Sequence, residues 1–239
     1  MSGHSKWANI KKQKGINDKQ KGVMFSKLSR LITLIVVESG GITDPENNVR
    51  LRLIIEKAKQ YNMPKENIER AINNAANPDK SQIKEVVYEG FGPGGVALMI
   101  NATTDNSNRT LSEIRNVLHM NGGKLGSQGS VNYLFQKCGL VTFNKNFVTE
   151  EKILLFADKI GALDIDQDDT TYFVFIPFSN LGKIKDLAQD LKYTSAEIDY
   201  KPNTLISIDE ETFIKLITLI ELLEEMDDVH NVYSNFEHI

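Results

Sequence analysis

Cysteine is nearly missing from this chain: Cys138 is the only one in 239 residues. One thiol can neither close an internal disulfide nor build a cysteine-based zinc site, which suits a reducing compartment. The four histidines, His4, His119, His230 and His238, are scattered with no carboxylate or cysteine at ligand spacing, so no metal site is expected. No run of eighteen apolar residues occurs, and the stretch Leu34-Ile35-Val36-Val37 stops after four, so no membrane span is expected. The first residues lack the apolar core and small-residue cleavage site of a secretory signal, and they are built on lysine rather than the Arg and Ser of a mitochondrial presequence. A cytoplasmic location, most simply bacterial, is the expectation. No Ser/His/Asp or Cys/His constellation can be assembled from motif spacing, and Cys138 reads as packing. An enzyme, a cofactor and a small-molecule substrate are therefore not expected.

What the chain has is charge, unevenly placed. Residues 1–80 hold fifteen Lys and Arg against eight Asp and Glu, a net of +7, whereas residues 81–239 hold thirteen against twenty-four, a net of −11. Within the first thirty residues, Lys6, Lys11, Lys12, Lys14, Lys19, Lys21, Lys27 and Arg30 face a single acid, Asp18. Such a segment is the footprint of a polyanion partner, since each cation that neutralises a phosphate releases a condensed counterion. Trp7, the one tryptophan, sits among these lysines. Its indole can stack on an unpaired base, or it can pin the arm onto the first helix. The acidic remainder repels bulk nucleic acid and suits folding, dimerisation or docking on a basic protein.

Periodicity divides the chain. Residues 1–16 are poor in apolar side chains and read as an arm that orders on binding. A helix is predicted from about Asp18, with Phe25, Leu28, Ile32, Ile35 and Val36 on one face, ending at Gly40-Gly41. A second is predicted from about Pro45 with Leu51, Ile54, Ile55 and Ala58 inward, and a third from Pro64 to the break at Asn77-Pro78-Asp79. These make a small three-helix bundle whose basic face includes Arg50, Arg52, Lys57 and Lys59. No helix-turn-helix signature is evident, because that face lacks the Asn/Gln/Ser cluster that reads base edges.

Val86 to Phe91 and Val96 to Ala102 then read as a hairpin around Gly90-Phe91-Gly92-Pro93-Gly94-Gly95. That loop joins strand to strand and lacks the Gly-Lys-Ser/Thr ending of a phosphate-binding loop, so its glycines read as turn geometry. A helix from Ser107 to Met120 and a strand around Ser130 to Phe135 follow. From Gly139 comes a complete strand–helix–strand–strand–helix–strand series: 140–143, 149–160, 162–166, 172–176, 180–191 and 194–200. This is the split ferredoxin-like pattern. The last segment, with a strand at 205–208, a helix at 209–225 and a strand at 229–233, supplies what the unit ending at Phe135 lacks. The predicted class is α+β with three domains: 1–79, the basic arm plus helical bundle; 80–137 with 204–239, a discontinuous α/β domain; and 138–203, a ferredoxin-like domain inserted in it.

Three separated motifs carry a family resemblance: Gly3-His4-Ser5-Lys6-Trp7-Ala8-Asn9-Ile10-Lys11, Tyr88-Glu89-Gly90-Phe91-Gly92-Pro93-Gly94-Gly95-Val96-Ala97, and Thr104-Asp105-Asn106-Ser107-Asn108-Arg109-Thr110. They resemble the YebC/PmpR family from Ser2 to about Phe236. The resemblance implies a helical domain and two α/β domains around a cavity, and a non-enzymatic role in gene expression. That role is transcriptional regulation through DNA or, for other members, translation at the ribosome. In place of the extra arginines and alanines common in the family arm, this chain has Gln13, Lys14, Gly15, Ile16 and Asn17. Bidentate arginine contact to guanine is thereby absent from the arm, leaving point-charge contact to phosphate. The candidate nucleic-acid residues are Lys6, Trp7, Lys11, Lys12, Lys14, Lys19, Lys21, Lys27 and Arg30. His4, next to Ser5 and Lys6, is a candidate phosphate or partner contact. Asp105, Asn106 and Arg109 either cap a helix with a local ion pair or contact RNA or a ribosomal protein.

Overall fold

The structure, a computed structural model, describes residues 18–76 and 83–238. These form two compact units: residues 18–134 with 206–238, and residues 135–205.

The first unit opens with three helices, α1 (Asp18–Glu38), α2 (Val49–Gln60) and α3 (Lys65–Asn73). Leu28, Ile32, Ile35 and Val36 of α1 close onto Leu51, Ile54, Ile55 and Ala58 of α2 and onto Ile68 and Ala71 of α3. Fully burying such aliphatic side chains contributes about 1.5–3 kcal/mol each, far more than helix propensity supplies. Gly40 and Gly41, at φ 73° and 89°, let the chain reverse after α1, with the Gly41 N–H donating to Val36 O at 2.9 Å. Helix α2 starts four residues later than its first-turn proline predicts. The Asp44 carboxylate accepts from Glu46 N at 3.0 Å and Asn47 Nδ2 at 2.7 Å, which holds Pro45 in a turn. Asn48 then caps α2 by accepting from Leu51 N at 3.1 Å.

The same unit carries a four-stranded sheet. Strands β1 (Lys84–Phe91) and β2 (Ala97–Thr104) form the expected hairpin, helix α4 (Ser107–Met120) follows, and β3 (Lys124–Leu125) returns beside β1. From the end of the chain, α7 (Glu210–Glu225) and β9 (Val229–Ser234) complete it, giving the antiparallel order β3-β1-β2-β9. Along β2, Leu98, Ile100, Ala102 and Thr104 share one side, and Met99, Asn101 and Thr103 the other.

Two predicted strands behave differently. Residues 130–134 do not extend the sheet, because the buried Glu89 carboxylate collects three backbone N–H groups there. Gly129 N lies 2.6 Å away, Val131 N 2.6 Å and Asn132 N 2.9 Å. Donors spent on a carboxylate cannot feed a ladder. Residues 206–208 form β8 but leave the main sheet to pair in parallel with a strand the periodicity missed, β10 (Phe236–His238).

The second unit contains β4 (Phe135–Asn144), α5 (Glu150–Ile160), β5 (Asp164–Gln167), β6 (Thr171–Pro177), α6 (Ile184–Ala188) and β7 (Ser195–Pro202). Its sheet order β5-β6-β4-β7, with every neighbour antiparallel, is the ferredoxin-like arrangement. Phe143 meets Phe156 of α5 edge-on at 5.2 Å. The long helix predicted over 180–191 is instead a 3-10 segment, Phe178–Lys183, followed by the short α6, and Gln189 at φ 48° ends it. Gly139 lets this segment sit down: a Cβ there would stand 2.6 Å from Leu181 Cδ2 and 2.8 Å from Ile176 Cγ1. The first unit's sheet repeats this order position by position as β3-β1-β2-β9, with α4 crossing from β2 to β3 as α5 crosses from β4 to β5. It is the ferredoxin-like sheet with the strand equivalent to β6 moved to the front of the series, as β1. The architecture is α+β, a helical bundle with two sheets of this kind.

Candidate nucleic-acid interface

His4, Lys6, Trp7, Lys11, Lys12 and Lys14 lie outside the described residues. Lys19 falls in the first turn of α1 and Lys21 is exposed on the same helix. The last two cations of the predicted set are engaged inside the protein. Lys27 is 5% exposed and donates to the Glu224 carbonyl at the end of α7. Arg30 pairs with the Asp228 carboxylate through Nη1, which also donates to Asp227 O at 3.3 Å and Thr103 O at 3.4 Å.

Asp228 is the junction of this region. It is 6% exposed at the start of β9. Its second oxygen accepts from Thr110 Oγ1 at 2.6 Å and Arg109 Nη2 at 3.1 Å. Burial by itself raises the Asp228 pKa, but the Thr110 hydroxyl and the Arg109 and Arg30 guanidiniums outweigh it and hold the carboxyl below its ordinary value. Arg109 also reaches Asp105 at 2.9 Å, and Asn106 caps α4 by accepting from Arg109 N at 3.2 Å. The Thr104-to-Thr110 motif therefore ends β2, caps α4 and ties both to α1 through Asp228. Sequence reasoning missed Asp228 because it sits in the acidic run 224–228, which reads as solvated charge.

Two residues along β9 lies His230, partly exposed, although neither ring nitrogen reaches the surface or finds a hydrogen-bond partner among the described residues. Burial, with Lys27, Arg30 and Lys57 adding to it, depresses this imidazole to about 3. It is neutral at physiological pH.

On the outer side of the bundle, α1 and α3 enclose a shallow groove of about 180 Å³ lined by Phe25, Ser26, Ser29, Asn67, Arg70, Ala71 and Asn74. Asn67, Arg70, Ala71 and Asn74 recur at helical spacing on α3 and its 3-10 extension, and Ser26 and Ser29 do so on α1. The spacing is fixed next to the groove, where Thr33 Oγ1 donates to Ala71 O at 2.7 Å in a buried hydrogen bond. None of the basic-face residues Arg50, Arg52, Lys57 and Lys59 lines this groove, so its polar side chains lie outside the face that the sequence reading describes. The two helices that supply them are separated in sequence by the whole of α2, so no local motif announces the grouping.

The glycine loop is a turn, as expected. A 3-10 turn over Pro93–Gly95 joins β1 to β2, Gly94 and Gly95 take φ 71° and 76°, and Gly92 N donates to Val96 O at 2.8 Å. Cys138 is fully buried, and burial with the nearby Asp199 pushes its thiol up to about 12. Among the described residues no cluster of three or more His, Cys, Asp or Glu could hold a metal ion. No described helix is long and apolar enough to cross a membrane.

The chain matches two family domains, the TACO1/YebC protein N-terminal domain over residues 5–78 and the TACO1/YebC second and third domain over residues 83–236. It is similar to a protein of Chloroflexus aurantiacus named "Probable transcriptional regulatory protein", at 44% identity over 99% of this chain and 96% of the relative. A protein of the same name in Aquifex aeolicus is 45% identical, again over 99% of this chain and 96% of the relative. The crystal structure of a conserved hypothetical protein from Aquifex aeolicus superposes with a TM-score of 0.84 at 42% identity, covering 93% of this chain and 92% of that one. With both family domains matched in order and relatives aligned end to end, the chain belongs to the TACO1/YebC family.

Proposed function

We propose that this protein is a non-enzymatic regulator of gene expression that binds nucleic acid through its basic N-terminal region. The observation that carries the proposal is the charge asymmetry: seven net positive charges in the first thirty residues of a chain whose total is −4. Lys6, Lys11, Lys12, Lys14, Lys19 and Lys21 supply phosphate contacts, with His4 and Trp7 among them. Lys27 and Arg30, engaged with Glu224 and Asp228, hold α1 against the α/β part of the same unit. The names of the relatives favour promoter DNA as the target. A second reading, a translation factor on ribosomal RNA, is favoured by one specific feature: the first seventeen residues contain no arginine and place Trp7 among lysines. That combination suits phosphate contact and stacking on unpaired bases better than reading guanine in a groove.

The test replaces Lys11, Lys12 and Lys14 by alanine and measures binding to duplex DNA and to ribosomal RNA as a function of salt. The slope of log K against log salt is expected to flatten by up to about one unit for each phosphate that the variant no longer neutralises. An unchanged slope on both polymers refutes the role of the arm. Fractionating a lysate into DNA, ribosome and polysome pools separates the two targets, because only the true partner retains the intact chain.

A further inference from the structure

We propose that the groove between α1 and α3 is a second nucleic-acid contact, one that takes an unpaired nucleotide. The inference rests on the nucleic-acid-binding reading above and assigns a site that lies outside the arm. Its lining is mixed in a telling way. A phosphate pocket needs donors and positive charge, whereas this groove sets one cation, Arg70, among two hydroxyls and two carboxamides that both donate and accept. Donors and acceptors side by side match the edge of a base, which presents both. Phe25, half-buried on the wall, offers an apolar surface for a flat ring.

These groups are also available. Among the described residues Arg70 makes no ion pair, and the side chains of Ser26, Ser29, Asn67 and Asn74 make no hydrogen bond. Arg50, by contrast, is held by Glu38 at 2.6 Å and Glu85 at 3.1 Å. The net positive charge of residues 1–80 favours a polyanion over a basic protein as the occupant. An unpaired strand fits better than a duplex, because in a duplex the base edges lie at the floor of a groove and only phosphates face outward.

The experiment titrates the full-length protein into labelled single-stranded RNA, single-stranded DNA of the same sequence, and duplex DNA with the same number of phosphates, using fluorescence anisotropy. Asn67→Ala combined with Asn74→Ala keeps every charge and is expected to weaken single-strand binding about tenfold while leaving duplex affinity and the salt slope unchanged. Ser29→Leu, which fills the groove from the other helix, is expected to do the same, and circular dichroism checks that each variant keeps its helices. Weakening on RNA alone places the 2′-hydroxyl in the groove, and weakening on both single strands places the base there. Single-strand affinities that stay at the parent value in both variants overturn this inference alone. Equal weakening on duplex also overturns it. If the parent protein binds none of the three polymers, the proposed function itself fails.

Discussion

His230 makes the stability of the unit formed by residues 18–134 and 206–238 sensitive to mild acid. Its imidazole is held near 3 in the folded protein against an ordinary value of 6.5, so over that interval the unfolded chain takes up a proton that the folded chain refuses. The stabilisation is fully present above pH 6.5 and is lost as the pH falls toward 3. One proton of difference corresponds to a slope of about 1.4 kcal/mol per pH unit, so lowering the pH from 6.5 to 5 costs about 2 kcal/mol. That is a large share of the ~5–15 kcal/mol that separates a typical domain from its unfolded state. Urea unfolding followed by far-UV circular dichroism at pH 7.5 and pH 5.0 reads the difference directly. His230→Phe, which has no proton to accept, is expected to flatten the pH dependence whatever it does to stability at pH 7.5. A variant that loses as much stability as the parent between those two values refutes the reasoning.

Other expectations come from the same geometry. Asp228→Asn removes the partner of Arg30 and Arg109 and should cost about 2–3 kcal/mol at pH 7, measured by urea unfolding. Because the carboxyl pKa is lowered in the folded state, the stabilisation is present above about pH 4, and the gap between parent and variant should close as the pH falls further. Glu89→Gln turns an acceptor-only group into one whose NH2 faces backbone donors, and should cost about 2 kcal/mol and speed amide exchange at Gly129, Val131 and Asn132. Gly139→Ala should destabilise residues 135–205 by about 1–3 kcal/mol, seen as a lower melting temperature, because the new methyl meets Leu181 and Ile176. The Cys138 thiol should resist a disulfide reagent in the native protein and react only on unfolding, with mass spectrometry counting the adducts.

The parts of this fold legible in the sequence are those whose signal is local. Leu28, Ile32 and Ile35 mark α1 by spacing alone, and the glycines after Tyr88 mark the hairpin turn because few other residues accept their backbone angles. The start of α2 is hidden, since Asp44-Pro45 fits a helix cap and a turn equally well until the Asp44 side chain is seen bonding to Glu46 and Asn47. The strand expected at 130–135 fails for a long-range reason: a carboxylate forty residues upstream takes the donors. For the candidate interface the split is sharper. The lysines of the arm are visible as composition, whereas the engagement of Lys27 and Arg30 by residues near the other end of the chain leaves no trace in their neighbourhood. The groove between α1 and α3 is likewise a product of packing.

The pairing of β2 with β9 has a consequence for synthesis. Leu98 aligns with Ser234, so the sheet begun by the hairpin waits for residues 229–234 to leave the ribosome before its second edge is covered. Residues 135–205, which hold all four strands of their own sheet, emerge complete well before that. A nascent chain stalled between these points would display a finished inserted module while the edge of β2 away from β1 stays open, and that intermediate is the one a chaperone must shield.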